Sequence, residues 1–239
     1  MIDFHSHILP GIDDGSRSVE ESIEMLDSYS SRVTDVCLTP HFYPSDDLPE
    51  AFFARRQKAY EQLLEALAGK THPRLHLGAE VLFFDGIYRS TAMEDFKLQD
   101  SRLILIEMPT GRWTMRMMDQ LLELNRNFGL RPVLAHIDRY HFASGNSECL
   151  SYFLSQRGLV QVYADAALSF WTRRKTASMI REKMIHFIGS DAHNVSSRKP
   201  NVDAAIAALE KAKASDAVEA LEHRGQKYFY HFAEETPTV

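Results

Sequence analysis

Short apolar runs alternate with amphipathic segments along most of the chain. Seven runs are rich in Val, Ile, Leu and Phe and are bounded by polar or turn-forming residues, a pattern that indicates buried strands. They lie at 2–4, 34–39, 75–80, 103–107, 133–136, 159–163 and 186–189. The segments between several of them carry apolar residues three or four positions apart, which predicts helices.

Local signals set where these helices begin and end. Ser18-Val19-Glu20-Glu21 is a capping box that begins the first helix. Further helices are predicted at 49–68, 115–128, 148–157 and 167–183, with two more at 202–212 and 216–224. Alternating strands and helices imply an α/β fold with a parallel sheet and helices outside it. Because the chain has no glycine-rich dinucleotide loop, we favour a barrel over an open doubly wound sheet, and a single domain spanning 1–239.

Composition excludes several classes of protein. The chain has 27 Lys and Arg against 33 Asp and Glu, a net charge of −6, so nucleic acid is not expected as its main partner. It has no apolar run of about 18 residues, the length that would predict an integral membrane span. Its two cysteines and an N-terminus without a charged-then-apolar leader predict a cytoplasmic protein.

Metal-type side chains stand at the ends of six of the seven predicted strands. In a parallel barrel the carboxyl ends of all strands meet on one face, so residues far apart in sequence become neighbours there. A carboxylate in the loop after the first strand adds to the set. The candidate ligands are His5, His7, Asp14, His41, Glu80, Glu107, His136, Asp191 and His193.

The number and type of these ligands indicate more than one cation. His5-Ser6-His7 and Asp191-Ala192-His193 each place alternate residues on one side of an extended segment. The set exceeds what one tetrahedral ion uses, and two or three ions about 3.5 to 4 Å apart suit hydrolysis of a phosphoester. Carboxylates mixed with imidazoles favour Mn or Fe, with Zn as an alternative.

The segments that carry these residues resemble the PHP (polymerase and histidinol phosphatase) superfamily. Within it they most resemble the bacterial manganese-dependent protein tyrosine phosphatases of capsule and exopolysaccharide gene clusters, from Asp3 to about Lys199. The matching segments are Asp3-Phe4-His5-Ser6-His7-Ile8-Leu9-Pro10-Gly11-Ile12-Asp13-Asp14-Gly15, Thr39-Pro40-His41, Gly78-Ala79-Glu80, Leu105-Ile106-Glu107-Met108-Pro109, Ala135-His136-Ile137-Asp138-Arg139-Tyr140 and Ser190-Asp191-Ala192-His193-Asn194.

The resemblance implies a distorted (β/α)7 barrel with three metal ions, with manganese as the first choice. It assigns His5, His7, Glu80 and Asp191 to the first ion, Asp14, His41 and His193 to the second, and Glu80, Glu107 and His136 to the third. Glu80 would bridge. Arg139 and Arg198 match positions of phosphate clamps, and a guanidinium fork suits phosphoryl oxygens. The implied reaction is attack of a metal-bridging hydroxide on phosphotyrosine in the tail of a membrane-attached tyrosine kinase that controls polysaccharide synthesis.

One segment departs from the family pattern. Gln161-Val162-Tyr163-Ala164-Asp165 stands where related phosphatases carry small polar residues, so Tyr163 or Asp165 is expected to reshape the pocket. Asp13 is expected to serve only its turn. The oligomeric state, the general acid and the role of residues 228–239 stay open.

Three alternatives compete with this hypothesis. One is a small-molecule phosphatase acting on histidinol phosphate or a sugar phosphate, and another is a non-catalytic module that metals only stabilise. A cyclic amidohydrolase is disfavoured because Glu107 stands where a metal-bridging lysine would be needed. A cysteine phosphatase is also disfavoured, because Ser155 stands where its loop requires arginine after Cys149.

Overall fold

The chain folds into a parallel α/β structure, as the alternating pattern predicts. The computed structural model describes residues 1–99, 101–141 and 145–230 of the protein; residues 231–239 of the tail lie outside this part. All strand pairs within it are parallel. The strands are β1 (Ile2–Ser6), β2 (Asp35–Leu38), β3 (His41–Phe42), β4 (Arg74–Leu77), β5 (Glu80–Leu82), β6 (Leu103–Glu107), β7 (Arg131–Leu134), β8 (Leu159–Tyr163) and β9 (Phe187–Gly189).

The sheet curls because two interrupted strands pass from one part of it to the other. One part has the order β1-β2-β4 and the other β3-β5-β6-β7-β8-β9. Only Thr39-Pro40 separates β2 from β3, and only Gly78-Ala79 separates β4 from β5. Beyond β9 the chain returns to β1, where His7 N donates to Ala192 O at 2.8 Å. The carboxyl ends of the strands therefore face one common space.

Helices lie between the other successive strands, outside the two short breaks, and beyond the last strand. They are α1 (Val19–Asp27), α2 (Pro49–Ala66), α3 (Met93–Phe96), α4 (Met115–Phe128), α5 (Asp138–His141), α6 (Ser147–Ser155), α7 (Asp165–Leu168), α8 (Arg173–Arg181), α9 (Val202–Lys211) and α10 (Ser215–Tyr230). A 3₁₀ turn spans Ile87–Arg89. None of the helices within the described ranges has the length and hydropathy of a transmembrane segment.

The helix predicted at 167–183 is wrong in one respect, because the chain breaks it between α7 and α8. Side chains replace the backbone donors that would have continued the helix. The Thr172 hydroxyl donates to Ala166 O at 2.7 Å, and Arg173 Nε donates to Ala167 O at 2.8 Å. The terminal carbonyls of α7 are thus satisfied, and residues 169–172 form an exposed corner.

Aromatic side chains fill the space enclosed near the amino ends of the strands. The rings of Phe4 and Phe187 lie 4.3 Å apart between centroids, and Phe229 of α10 meets Phe4 edge-on at 5.9 Å. All three are at most 2% exposed. Helix α10 therefore closes the end of the sheet opposite the metal-type residues.

Candidate metal centre

The structure brings the nine predicted ligand residues to the carboxyl ends of the strands. His5 lies near the end of β1, His41 and Glu80 follow the breaks after β2 and β4, and Glu107 ends β6. The other members follow strands directly or stand in the first loop. Several of these charged or imidazole side chains are almost fully buried, which is costly without compensating charge: His5, His7, Glu80 and His136 are 0% exposed, Asp191 is 1% and His193 is 2%.

His5, His7 and Glu80 converge at the centre of this group. His5 Nε2 lies 3.0 Å from His7 Nε2 and 3.1 Å from Glu80 Oε2. His7 Nε2 lies 3.4 Å from the same carboxylate oxygen. Asp191 completes the set, with its Oδ1 at 3.5 Å from His5 Nε2 and 3.4 Å from His7 Nε2. These are the four residues that the resemblance assigned to the first ion.

A second group lies beside the first, towards the loop after β1. Ligand atoms of His7, Asp14, His41 and His193 all fall within 4.8 Å of one another. Asp14 Oδ1 lies 3.3 Å from His193 Nε2 and 3.6 Å from His41 Nε2. The group contains the three residues expected for the second ion and adds His7.

A third group surrounds the other side of Glu80. Ligand atoms of His41, Glu80 and Glu107 lie within 4.8 Å of one another. His136 Nε2 lies 2.8 Å from Glu80 Oε1 and 3.7 Å from Glu107 Oε1. Glu80 therefore faces His5, His7 and His41 with Oε2 and His136 with Oε1, an arrangement suited to bridging.

Unpartnered polar atoms show that this centre fits divalent cations. Among the described residues, Glu80 Oε2, His41 Nδ1 and His193 Nε2 are buried without a hydrogen-bond partner. His41 Nδ1 and Glu80 Oε2 are only 3.0 Å apart, yet they do not have hydrogen-bonding geometry. Buried acceptors left in this state are expensive unless something binds them. Imidazole and carboxylate lone pairs directed at a common space are what a hard divalent ion requires.

The electrostatics of Glu80 lead to the same conclusion. Burial by itself raises the pKa of Glu80, but the neighbouring charges of His5 and His136 overcome it and hold that pKa well below its usual value. The carboxylate is therefore ionised in the interior only because positive charge surrounds it. Burial and the nearby charge of His7 lower the pKa of His193 to about 4, so this imidazole is neutral and able to ligate at neutral pH.

Asp13 has a larger role than expected, and the view that it serves only its turn is wrong. Its Oδ1 accepts the Gly15 N–H at 3.0 Å, as a turn residue would. Its Oδ2 also lies 2.8 Å from His7 Nδ1 and accepts the His41 N–H at 2.9 Å. A carboxylate bonded to the far nitrogen of a ligating imidazole sets its tautomer and orientation. No pattern in the sequence separates this aspartate from a turn aspartate.

Gln161 on β8 holds residues from two of the three groups. Its Oε1 accepts the His136 N–H at 2.7 Å and lies 3.4 Å from His5 Nδ1. His136 has a φ of 28°, a strained backbone that its surroundings must maintain. Gly189 makes room for this contact, since a Cβ there would lie 2.5 Å from His5 Cβ and 2.6 Å from Gln161 Nε2. The segment flagged as a departure thus contributes a positioning residue that sequence reasoning missed.

Asp3 ties the two ends of the chain together beneath the centre. Its Oδ1 accepts the Ser190 N–H at 2.9 Å and the His5 N–H at 3.2 Å, and its Oδ2 accepts the Tyr29 hydroxyl at 2.6 Å. The segment after β9 is thereby fixed against β1. Asp191 follows in the left-handed region with a φ of 50°.

Two arginines border the centre on the Asp191 side. Arg198 Nη2 donates to Asp191 Oδ2 at 2.8 Å, and Arg139 Nη2 donates to the same oxygen. Asp191 Oδ1 is left facing the imidazoles. The side chains of Arg139 and Arg198 are 41% and 35% exposed, so both guanidinium groups are accessible to a ligand at the opening.

Of the two residues expected to reshape the pocket, Tyr163 lies near Asp191 and Arg198, and Asp165 interacts with Tyr163. Burial raises the pKa of Tyr163 to about 12, and the charges of Asp165 and Asp191 add to this effect. Asp165 Oδ1 also accepts a hydrogen bond from Asn201 Nδ2 at 2.6 Å, which joins α7 to the residue before α9.

A cavity of about 290 Å³ opens beside the second group. Tyr43 forms one wall, and its ring stacks on that of His41 with centroids 5.0 Å apart and planes at 21°. The cavity is lined by Ile12, Asp13, Asp14, His41, Tyr43, Asp46, Asp47 and Arg55. Its size suits a side chain or small ester next to the proposed ions.

Comparison with known proteins places this geometry in a family. Residues 1–228 match the model described as "Capsular polysaccharide synthesis, CpsB/CapC". Tyrosine-protein phosphatase YwqE of Bacillus subtilis is 31% identical over 90% of this chain and 86% of its own. Tyrosine-protein phosphatase CpsB of Streptococcus pneumoniae is 27% identical over 88% and 90%.

A solved structure has the same fold. It was reported with YwqE and CpsB as unique metal-dependent tyrosine phosphatases, and it is similar with a TM-score of 0.81 and 26% identity, over 96% of this chain and 94% of that one. The family match covers nearly all of the chain, including every candidate ligand. The chain therefore belongs to the CpsB/CapC family of capsular polysaccharide synthesis.

Proposed function

We propose that the protein is a metal-dependent protein tyrosine phosphatase. The observation that carries this proposal is the centre itself, where buried and unpartnered ligand atoms lie next to two accessible guanidinium groups. The curated relatives are tyrosine-protein phosphatases, and the similar solved structure was reported as metal-dependent. A phosphoryl group is the ligand that such a pair of arginines recognises best.

The nine candidate residues would hold three divalent ions, manganese in first place and iron or zinc as alternatives. His5, His7, Glu80 and Asp191 would take the first, Asp14, His41 and His193 the second, and Glu80, Glu107 and His136 the third. Bound ions at this centre supply a lowered pKa for water and charge neutralisation at phosphorus. Mixed imidazole and carboxylate donors support the choice of a metal harder than a structural zinc.

The chain's own residues bind and orient the phosphoryl group. Arg139 and Arg198 now share Asp191 Oδ2, and a phosphoryl group with several oxygens offers them a stronger partner than one carboxylate oxygen. Their positive charge is placed where negative charge grows on the equatorial oxygens. Tyr43 gives the cavity an aromatic wall, which suits an aryl leaving group. Phenol has a reference pKa of about 10, so its departure needs less protonation than that of an alkoxide.

We further propose that the fold is a distorted (β/α)7 barrel in one domain over residues 1–239. If β2 with β3 and β4 with β5 are each counted as one interrupted strand, the barrel has seven strands. The hydrogen bond from His7 N to Ala192 O supports closure of the barrel between its last and first strands. The cytoplasm is the proposed location, supported by two cysteines that are free and buried, Cys37 and Cys149.

The proposed substrate is phosphotyrosine in the tail of a bacterial tyrosine kinase that controls polysaccharide synthesis. The family's assignment to capsular polysaccharide synthesis and the relatives' activity support this choice.

Metal content and substrate choice test the proposed function together. Purified protein is stripped with a chelator, reloaded with Mn²⁺ and assayed on a phosphotyrosine peptide, on histidinol phosphate and on a sugar phosphate. We expect hydrolysis of the peptide to vanish on chelation, return with Mn²⁺, and exceed that of both small esters in kcat/KM. A preference for either ester would support a small-molecule phosphatase instead, and activity indifferent to chelation would exclude metal dependence.

His136→Ala separates a catalytic centre from one that only stabilises the fold. We expect this variant to be folded by circular dichroism, because other ligands of the third ion remain. It should have little activity, because the geometry of those ligands is lost. Unfolding in step with metal loss would favour the non-catalytic module.

A further inference from the structure

The corner between α7 and α8 exposes two aromatic side chains. Phe170 is 74% exposed and Trp171 is 88% exposed, and their rings meet edge-on with centroids 5.6 Å apart. Large aromatic side chains are rarely left in water to this extent on a chain that works alone. The break in the predicted helix is what presents them, because a continuous helix would have turned part of residues 169–172 inward.

This corner stands at the same end of the fold as the metal centre. Helix α8 returns the chain to the start of β9, so its first residue, Arg173, lies on the side of the strands' carboxyl ends. Helix α7 directly follows Tyr163 and Ala164, and Ala164 N donates to Gly189 O at 2.9 Å. A macromolecule that delivers a phosphoryl group to the centre therefore approaches on the side where Phe170 and Trp171 project.

The corner is also locally basic on an acidic protein. Positions 166–181 contain four Arg and Lys residues and no Asp or Glu, although the whole chain has a net charge of −6. Arg173 is engaged with backbone carbonyls of α7, and Arg181 pairs with Asp216. Arg174 is exposed and pairs with no carboxylate in the described part of the chain.

We propose that Phe170, Trp171 and Arg174 form a docking surface for an acidic peptide segment flanking the phosphotyrosine of the substrate. This inference rests on the proposed function, since only a protein substrate has such flanks. An extended peptide advances about 3.3 Å per residue, so a few residues beyond the phosphotyrosine cross the rim of the sheet. Aromatic rings and arginine together bind apolar and acidic side chains of such a segment.

The charge of the molecule favours a peptide over a membrane as the occupant. An anionic bilayer would meet the whole protein, whose net charge of −6 opposes adsorption. A peptide meets only the local basic surface. Helix α8 also buries its apolar face, with Thr176, Ala177 and Ile180 inside, so no amphipathic helix face remains to enter a lipid surface.

Trp171 allows a direct binding test that does not depend on catalysis. The chain has two tryptophans, and the other, Trp113, is 2% exposed. The probes are phosphonate analogues of a phosphotyrosine peptide that cannot be hydrolysed, one flanked by Asp and Glu and one by Ser and Gln. We expect the acidic peptide to shift Trp171 emission to the blue, shield it from acrylamide and bind about tenfold more tightly than the neutral peptide.

Variants assign the effect to the surface. Arg174→Gln should remove most of the preference for acidic flanks, and Trp171→Ala should weaken binding of the acidic peptide about tenfold. Both should leave hydrolysis of para-nitrophenyl phosphate unchanged. Leu64→Ala on α2, an exposed apolar residue, and Arg126→Gln on α4 are the matched controls and should bind the peptide as the unaltered protein does.

Several results would overturn the docking surface while leaving the proposed function intact. These are equal binding of both peptides, blue-shifted emission with phosphatidylglycerol vesicles but not with peptide, or a blue shift of Trp171 that appears without peptide as the protein concentration rises and is reversed by dilution. Failure of the proposed function is recognised separately, by absent hydrolysis of both the acidic phosphotyrosine peptide and para-nitrophenyl phosphate after Mn²⁺ loading.

Discussion

At the residue scale, the proposed ligands depend on neighbours that are not themselves in the proposed ligand set. Gln161 is the clearest example because one amide oxygen contacts both His5 and the strained backbone of His136. Partners of this kind typically account for 10- to 100-fold in metal affinity.

Gln161→Leu should therefore weaken metal binding by about 10- to 100-fold. The change leaves the His136 N–H buried without an acceptor, which costs about 1–3 kcal/mol of folding free energy. Titration calorimetry with Mn²⁺ and metal content by mass spectrometry measure the first effect, and urea unfolding measures the second. Gln156→Leu, at the exposed C-terminal end of α6, is the matched control. Unaltered Mn²⁺ affinity in Gln161→Leu would contradict the positioning role.

His186 gives the fold a pH dependence of its own, away from the centre. Its Nδ1 accepts the Val160 N–H at 3.3 Å, which requires a neutral ring. Burial and the charges of Arg224 and Arg131 lower the pKa of His186 to about 4. In the unfolded chain a histidine has a pKa of about 6.5. Between pH 6.5 and pH 4 the unfolded chain binds a proton at this histidine and the folded protein does not. The free energy of unfolding is therefore unaffected by His186 above pH 6.5 and decreases as the pH falls towards 4.

Between pH 7 and pH 5, this group should reduce the free energy of unfolding by about 2 kcal/mol. His186→Asn retains an acceptor that does not titrate, so its pH dependence should be smaller by about that amount. Urea unfolding of both proteins in chelator measures the difference, which cancels the titration of the metal ligands. Identical pH profiles for the two proteins would show that His186 is not the responsible group.

At the element scale, α10 closes the end of the sheet that lies opposite the metal centre. Its Phe229 packs on Phe4, and its Tyr230 hydroxyl donates to Asp35 Oδ1 at the start of β2. Gly225 of the same helix faces the Phe4 ring, which would lie 3.4 Å from a Cβ at this position. The helix thus stabilises the fold without touching the ligands.

Phe229→Ala should cost about 3–5 kcal/mol of folding free energy, because it opens a cavity among Phe4, Phe187 and their neighbours. Metal affinity of the remaining folded protein should be unchanged, since the site lies at the far end of the strands. Thermal unfolding and Mn²⁺ titration measure the two quantities. Glu219→Ala, on the exposed side of the same helix, is the control. A loss of metal affinity in Phe229→Ala equal to that in His136→Ala would show that the two ends are coupled.

At the scale of the whole molecule, the centre joins segments from both ends of the chain. Glu80 carries a buried negative charge that a cation would compensate, and unpartnered nitrogens of His41 and His193 lie in the same centre. A ligand that binds only the folded state stabilises it by mass action, about 2.7 kcal/mol at a concentration of 100 times Kd.

Mn²⁺ should accordingly raise the Tm of the metal-free protein in a concentration-dependent way. Glu80→Gln should abolish most of this rise because it removes the bridging charge, whereas Glu61→Gln, an exposed change on α2, should not. Differential scanning calorimetry with and without Mn²⁺ provides the measurement. A Tm of the unaltered protein that does not change with Mn²⁺ concentration would argue against ions at this centre.

The convergence of the candidate ligands was predictable because it depends on two general rules. Strand periodicity shows where each strand ends, and parallel topology brings those ends together, so Glu107 and His136 are predicted neighbours although 29 positions separate them. The helix break at 169–172 was not predictable, because it depends on Thr172 and Arg173 binding particular carbonyls of α7. Gln161 and Asp13 were missed for the same reason.

The amino-acid sequence by itself therefore determined the parallel α/β architecture and the chemistry gathered at the strand ends, since both follow from periodicity and residue type. Only the tertiary structure decided which oxygen of Asp13 reaches His7, that one glutamine bridges His5 and His136, and that Phe170 and Trp171 project into solvent. Hydrogen bonds and packing act over a few ångströms between segments distant in sequence, and such distances exist only once the chain has folded.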